Sequence, residues 1–120
     1  MPDEPIIEMQ AIETLRALSP DDGGAFLREL IEIYLQDTPQ RLAELDQALA
    51  AHNASALIRA AHSIKGSSGN FGAHRLAKLA AEIESQGKAG NLAASAASCG
   101  RLKSDYASVA ELLTQIGQSG

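Results

Sequence analysis

Apolar residues recur along this chain at intervals of three and four, the spacing of helices that bury one side, and no stretch alternates as a half-buried strand would. Ile7, Ala11, Ile12, Leu15 and Leu18 predict a short amphipathic helix over Ile6 to Leu18, packed on the end of the body. Ser19-Pro20-Asp21-Asp22-Gly23-Gly24 is a turn by composition, and Asp21 or Asp22 is placed to cap the next helix. Leu27, Leu30, Ile31, Tyr34, Leu42, Leu45 and Leu49 then hold one register from Ala25 to Ala51, the longest helix expected. Pro39 lies inside it. Proline removes a backbone donor and crowds the preceding turn, so a kink near Asp37-Thr38 is expected, but no break, because the register resumes.

Asn53 is positioned to cap a third helix, Ala54 to Asn70, which has two unlike sides. Leu57, Ala61, Ile64 and Ser68 form the side to be buried, whereas His62, Lys65, Gly66 and Gly69 form a polar and nearly bare stripe. Phe71-Gly72-Ala73 reads as a tight turn in which Gly72 takes positive φ, returning the chain along a fourth helix from His74 to Gln86. Leu76, Leu79, Ala80 and Ile83 are its buried stripe. Gly87-Lys88-Ala89-Gly90 reads as a connector, and Leu92, Ala96, Cys99, Tyr106, Val109, Leu113 and Ile116 define a fifth helix from Asn91 to Ile116. Residues 1–5 and 117–120 read as loose tails. The fold class expected is all-α: an antiparallel up-down-up-down four-helix bundle with a short extra N-terminal helix, forming one domain over residues 1–120.

Composition narrows the function. With 120 residues the chain has room for one packed core but not for a kinase or a two-domain enzyme. Aromatic residues make up only 3% against a hydrophobic fraction of 45%, so the core is assembled from Leu, Ile and Ala, which favours packed helices. A net charge of −5 argues against a nucleic-acid or anionic-membrane surface, and no apolar run approaches the ~20 residues of a membrane span. The N-terminus lacks a signal-peptide layout and the single Cys99 excludes an internal disulfide, so a cytoplasmic setting is expected.

An exposed imidazole on a stripe without bulk is an odd thing to build for stability. The run His62-Ser63-Ile64-Lys65-Gly66-Ser67-Ser68-Gly69-Asn70-Phe71-Gly72-Ala73 resembles the signature of histidine-containing phosphotransfer (HPt) domains of two-component phosphorelays: His-x-x-Lys-Gly-Ser-Ser, then an apolar residue and Gly-Ala. Helix order and chain length fit the same family from end to end. The resemblance implies a phosphoryl carrier that is not itself an enzyme, serving response-regulator receiver domains and a hybrid sensor histidine kinase, either as a free protein or as a piece of such a kinase. It also implies that magnesium is supplied by the receiver, so no cofactor or metal of its own is expected.

On this reading His62 is the phosphorylated residue, since a neutral exposed imidazole is a competent nucleophile for an aspartyl phosphate. Glu84 stands where HPt proteins commonly carry Gln or Glu, and it is expected to reach His62 from the fourth helix and accept the Nδ1 hydrogen. Lys65 is expected to neutralise phosphoryl oxygens, with Arg59 acting at longer range. Gly66 and Gly69 would keep the helix flat for a docked receiver, with small Ser67 beside them, and Ser68 would let the third and fourth helices pack closely. The glycine-rich run is a poor phosphate-cradling loop, because its lysine precedes the glycines and no strand leads into it. His52 and His74 show no metal-ligand spacing and read as surface residues, and Cys99 as a small core residue. A helical docking module that carries no phosphate is the alternative from another class. A small hydrolase using His62 and Glu84 is poorer, since an open helix face has no pocket to exclude water. A monomer is expected.

Overall fold

The computed structural model describes residues 5–119, and among them all regular structure is helical: α1 Met9–Ala17, α2 Ala25–Ala50, α3 Ala54–Asn70, α4 His74–Lys88 and α5 Leu92–Ser119. Helices α2 to α5 pack in chain order around a ring, each on the next and α5 back on α2, with the most extensive contact between α3 and α4. This is the expected up-down-up-down bundle with an added N-terminal helix. The core is aliphatic: Leu45, Leu57, Ile64, Leu76, Ile83, Leu102, Val109 and Leu113 are all but inaccessible to solvent. Burying each such side chain contributes about 1.5–3 kcal/mol, which is what holds together a chain with so few aromatic residues.

Local chemistry sets the helix boundaries. Asp22 accepts hydrogen bonds from the Gly24 and Phe26 amides, both at 3.0 Å, and so caps α2 from outside. Asn53 Oδ1 accepts from the Ala56 amide at 3.1 Å and Asn91 Oδ1 from the Ala94 amide at 3.1 Å, capping α3 and α5. Asn91 is thus the cap of α5 rather than its first residue. Helix α2 runs through Pro39 without a break.

Several expectations are corrected. The fourth helix does not stop at Gln86 but continues through Gly87 to Lys88. Gly87 belongs there because its missing side chain lets α4 approach α3: a Cβ at this position would lie 2.9 Å from Ile58 Cγ1. Helix α5 extends to Ser119, so residues 117–119 are helical and not a loose tail, and at 28 residues α5 exceeds α2. Residues 1–4 and 120 of the expected tails lie outside the described residues. Ala96 is exposed, and the inward positions in the first half of α5 are Ser95, Ser98, Cys99, Leu102 and Asp105. Leu18 is also exposed, beyond the end of α1.

Ser68 is buried on the inner side of α3, as expected. Its Oγ also shares a 2.7 Å hydrogen bond with Tyr34 Oη, which ties α3 to α2. Burial pushes the Tyr34 phenol up to about 12, so it stays protonated and keeps that bond. The Tyr34 ring also packs on Phe71 at 5.0 Å and on Tyr106 at 5.9 Å between centroids, joining α2, the α3–α4 turn and α5.

The turn after α3 anchors the N-terminal segment. Gly72 has φ +75°, and its carbonyl accepts from the Glu8 amide at 2.9 Å. A Cβ here would stand 2.6 Å from the Glu8 carbonyl oxygen and 2.8 Å from Ala11 Cβ. Gly72→Ala therefore combines an unfavourable φ with a backbone collision. It should destabilise the protein by about 1–3 kcal/mol in urea unfolding and loosen α1, seen as faster amide exchange over residues 8–17.

Candidate functional site

The two-sided character of α3 survives folding. Leu57, Ala61, Ile64 and Ser68 are buried, while the His62 side chain is 68% exposed. Gly66 and Gly69 are on the same open stripe, and a Cβ built on either meets nothing within 4 Å. Packing therefore gives no reason for glycine at these positions, although each weakens the helix by about 1 kcal/mol relative to Ala.

Beneath the ring lies a carboxylate. The close approach of α3 and α4 brings Glu84 next to His62, with Oε2 at 3.3 Å from Nδ1. The Glu84 side chain is only 11% exposed, which would be costly for a lone anion. It is not alone: Lys65 Nζ stands 3.0 Å from Oε1 and Lys88 Nζ 3.4 Å from Oε2. The Lys65 ammonium holds the Glu84 carboxyl below the usual carboxylate range, against the opposing pull of burial, and Lys88 adds to the effect.

An ionised carboxylate only accepts hydrogen bonds, so its partner Nδ1 must carry the hydrogen. In the neutral ring the lone pair is then on Nε2, which has no protein partner among the described residues. The site thus presents a nitrogen nucleophile to solvent with its tautomer set from below.

Other residues singled out from the sequence are arranged around this centre. Ser67 Oγ folds back to donate to the Ser63 carbonyl at 3.0 Å, leaving the face low. Arg59 Nη1 donates to Ser55 Oγ at 3.2 Å and lines a polar cleft toward α2 with Arg41, Glu44 and Ser63, so it is on the flank of α3 away from Glu84. The expected approach of Glu84 to His62 therefore occurs, Lys65 joins them through an ion pair with Glu84 that the sequence reading did not include, and Arg59 is not part of the group. Lys88 is the member that sequence reasoning missed, because Gly87 and Gly90 make the segment look like a connector. The signal that finds it is the Glu84-to-Lys88 spacing of one helical turn.

His74 is a surface residue as expected, its Nε2 sharing a 2.9 Å contact with Glu8 Oε2, and Cys99 is buried with its thiol pushed up to about 11 by burial. Among the described residues no three His, Cys, Asp or Glu side chains group closely enough to hold a metal ion, and no helix is long and apolar enough to cross a membrane.

Comparison with known proteins gives the same pattern a family. The crystal structure of histidine-containing phosphotransfer protein B (HptB) from Pseudomonas aeruginosa PAO1 superposes with a TM-score of 0.89 at 30% sequence identity, covering 98% of this chain and 99% of that one. No curated protein sequence matches. The family model of the Hpt domain matches residues 29–118, from early α2 to the last turn of α5, so the helix that carries the exposed histidine and the helix that carries its carboxylate both fall inside the match: the chain belongs to the Hpt domain family.

Proposed function

We propose that this Hpt domain carries a phosphoryl group on His62, taken from the aspartyl phosphate of one receiver domain and passed to the aspartate of another. The Nε2 lone pair attacks phosphorus in line with the P–O bond to the aspartate. That bond breaks, and its electron pair leaves on the aspartate carboxylate. The ring, still holding its Nδ1 hydrogen, becomes cationic, and Glu84 Oε2 at 3.3 Å is placed to stabilise it. The observation that supports this reading most directly is the exposed ring whose inner nitrogen meets a buried carboxylate while its outer nitrogen meets solvent.

Lys65 supplies charge near the incoming phosphoryl oxygens as well as to Glu84. Gly66 and Gly69 give the receiver a flat approach, Ser67 keeps that surface low, and Arg59 contributes at its α2 edge. The receiver's own acidic pocket supplies magnesium, and the chain acts as a carrier, not as a kinase. It works in the cytoplasm without self-association, downstream of a hybrid sensor kinase or as part of one.

Incubation with a phosphorylated receiver should label the chain with an acid-labile, base-stable phosphoryl group, and His62→Gln should abolish the label. Label that survives this substitution overturns the carrier reading. A helical docking module without phosphate would bind the receiver and remain unlabelled.

Gly66→Ala should raise stability by about 0.5–1 kcal/mol in urea unfolding, because the site has room and the helix gains propensity. Gly66→Gln should leave helicity intact yet slow transfer from the receiver at least tenfold; unchanged transfer would show that a flat face is unnecessary.

The depressed Glu84 carboxyl predicts a pH dependence. Its ion pairs contribute fully above the ordinary value of 4.5 and are lost as pH falls through the lower folded value. The stability difference between the parent and Glu84→Gln should therefore shrink as pH falls below about 4.5, as followed by urea titrations across pH.

A further inference from the structure

Lys88 and His62 share one oxygen. Both lie against Glu84 Oε2, at 3.4 and 3.3 Å, while Lys65 occupies Oε1 at 3.0 Å. One carboxylate charge is thus divided between two fixed cations and a titratable ring. Lys65 by itself would neutralise Glu84. Lys88 leaves the cluster with an excess positive charge before the ring gains any.

That excess matters most once the ring is loaded. Attack through Nε2 leaves a phosphorylated ring with a hydrogen on Nδ1 and a positive charge. Loss of this proton to solvent gives a neutral ring, a poor leaving group that stores the phosphoryl group; retention of it keeps the P–N bond easy to break. A carboxylate facing Nδ1 favours retention, and a cation on the same carboxylate oxygen opposes it.

Resting on the carrier reading above, we infer that Lys88 is a positioning residue that acts through Glu84 Oε2, weakening its hold on the Nδ1 proton of His62 and so lengthening the time the phosphoryl group stays on the chain. Other charges near the ring are accounted for. On α3, Lys65 is committed to Oε1 and Arg59 to Ser55; on α2, Arg41 is paired with Asp37 and Glu44. Glu8 and His74 pair with each other beside a groove that Lys65 and Lys78 also border. Of the charges that face Glu84 Oε2 itself, Lys88 is the one whose removal leaves Lys65 in place. Its side chain is 64% exposed, so its substitution does not disturb the core.

The test follows the His62 ring by 15N NMR in the full chain without phosphate, in the parent, Lys88→Gln and Lys88→Arg. The ring should hold its proton to higher pH in Lys88→Gln, with a shift equivalent to about a two- to fourfold change in proton affinity for one partly screened charge, and Lys88→Arg should restore the parent curve. In a Glu84→Gln background the effect of Lys88→Gln should fall by half or more. A full-size effect there would mean that Lys88 acts on the ring directly, and overturns the route through Glu84. After loading with phosphoramidate, the Lys88→Gln phosphoprotein should lose its label about two- to fourfold faster at neutral pH, in step with the ring titration. Titration curves identical to the parent overturn the inference even if His62→Gln abolishes labelling; a titration shift without any labelling of the parent leaves the role of Lys88 toward the ring standing and removes the carrier reading instead.

Discussion

A single carboxylate, nearly sealed from solvent between α3 and α4, is the constraint on which this site depends. Glu84 survives as an anion in that position because ammonium groups from both helices reach it, Lys65 from α3 and Lys88 from α4. The arrangement requires the two helices to lie close, and Gly87 permits that approach where any side chain would press on Ile58. Packing, charge and the tautomer of His62 are therefore one problem with one solution. Moving α4 outward would cost the ring its acceptor and the carboxylate its compensating charges at the same time.

The opposite requirement shapes the outer side of α3. On the carrier reading proposed above, a group handed between proteins has to stand where two different surfaces reach it, so the reacting nitrogen cannot be enclosed as it would be in an enzyme pocket. The helix meets this by placing its large apolar residues on the inner side, where Leu57, Ala61 and Ile64 are sealed, and leaving two glycines outside. The loss of helix propensity at Gly66 and Gly69 is tolerable because tertiary packing, not propensity, supplies most of the stability of a buried helix. Electrostatic control then comes from beneath, through Glu84, rather than from walls around the ring. Membership of the Hpt family is consistent with this division of labour, and HptB of Pseudomonas aeruginosa shares the fold over nearly its whole length.

Helical content, element order and the two faces of α3 are legible in the residues themselves, since a period near 3.6 and the caps at Asn53 and Asp22 depend only on local chemistry. The ends of α4 and α5 are not, for one reason: glycines at 87 and 117 signal a break when read locally, yet helix packing carries the chain through both. Ala96 looks like a core position because alanine is apolar, but the helix turns Ser95 and Ser98 inward in its place. Small polar residues satisfy themselves on nearby groups and pack as tightly as alanine, a choice that periodicity does not resolve. Ser68 belongs to the buried side, as its spacing indicates, but its bond to Tyr34 is not legible there, because it spans helices whose relative rotation no local pattern encodes.

What the sequence determined alone is the set of helices, the aliphatic composition of the core and the presence of a histidine on an otherwise bare stripe, because each follows from covalent spacing along one element. What only the tertiary structure decided is which charges meet. The distances from Glu84 to His62, Lys65 and Lys88 depend on how far apart two helices lie and how each is rotated about its axis, quantities set by the packing of side chains distributed over the whole bundle. Electrostatics at contact distance changes steeply with each ångström, so the chemistry of the imidazole belongs to the fold even though the imidazole itself was visible from the start.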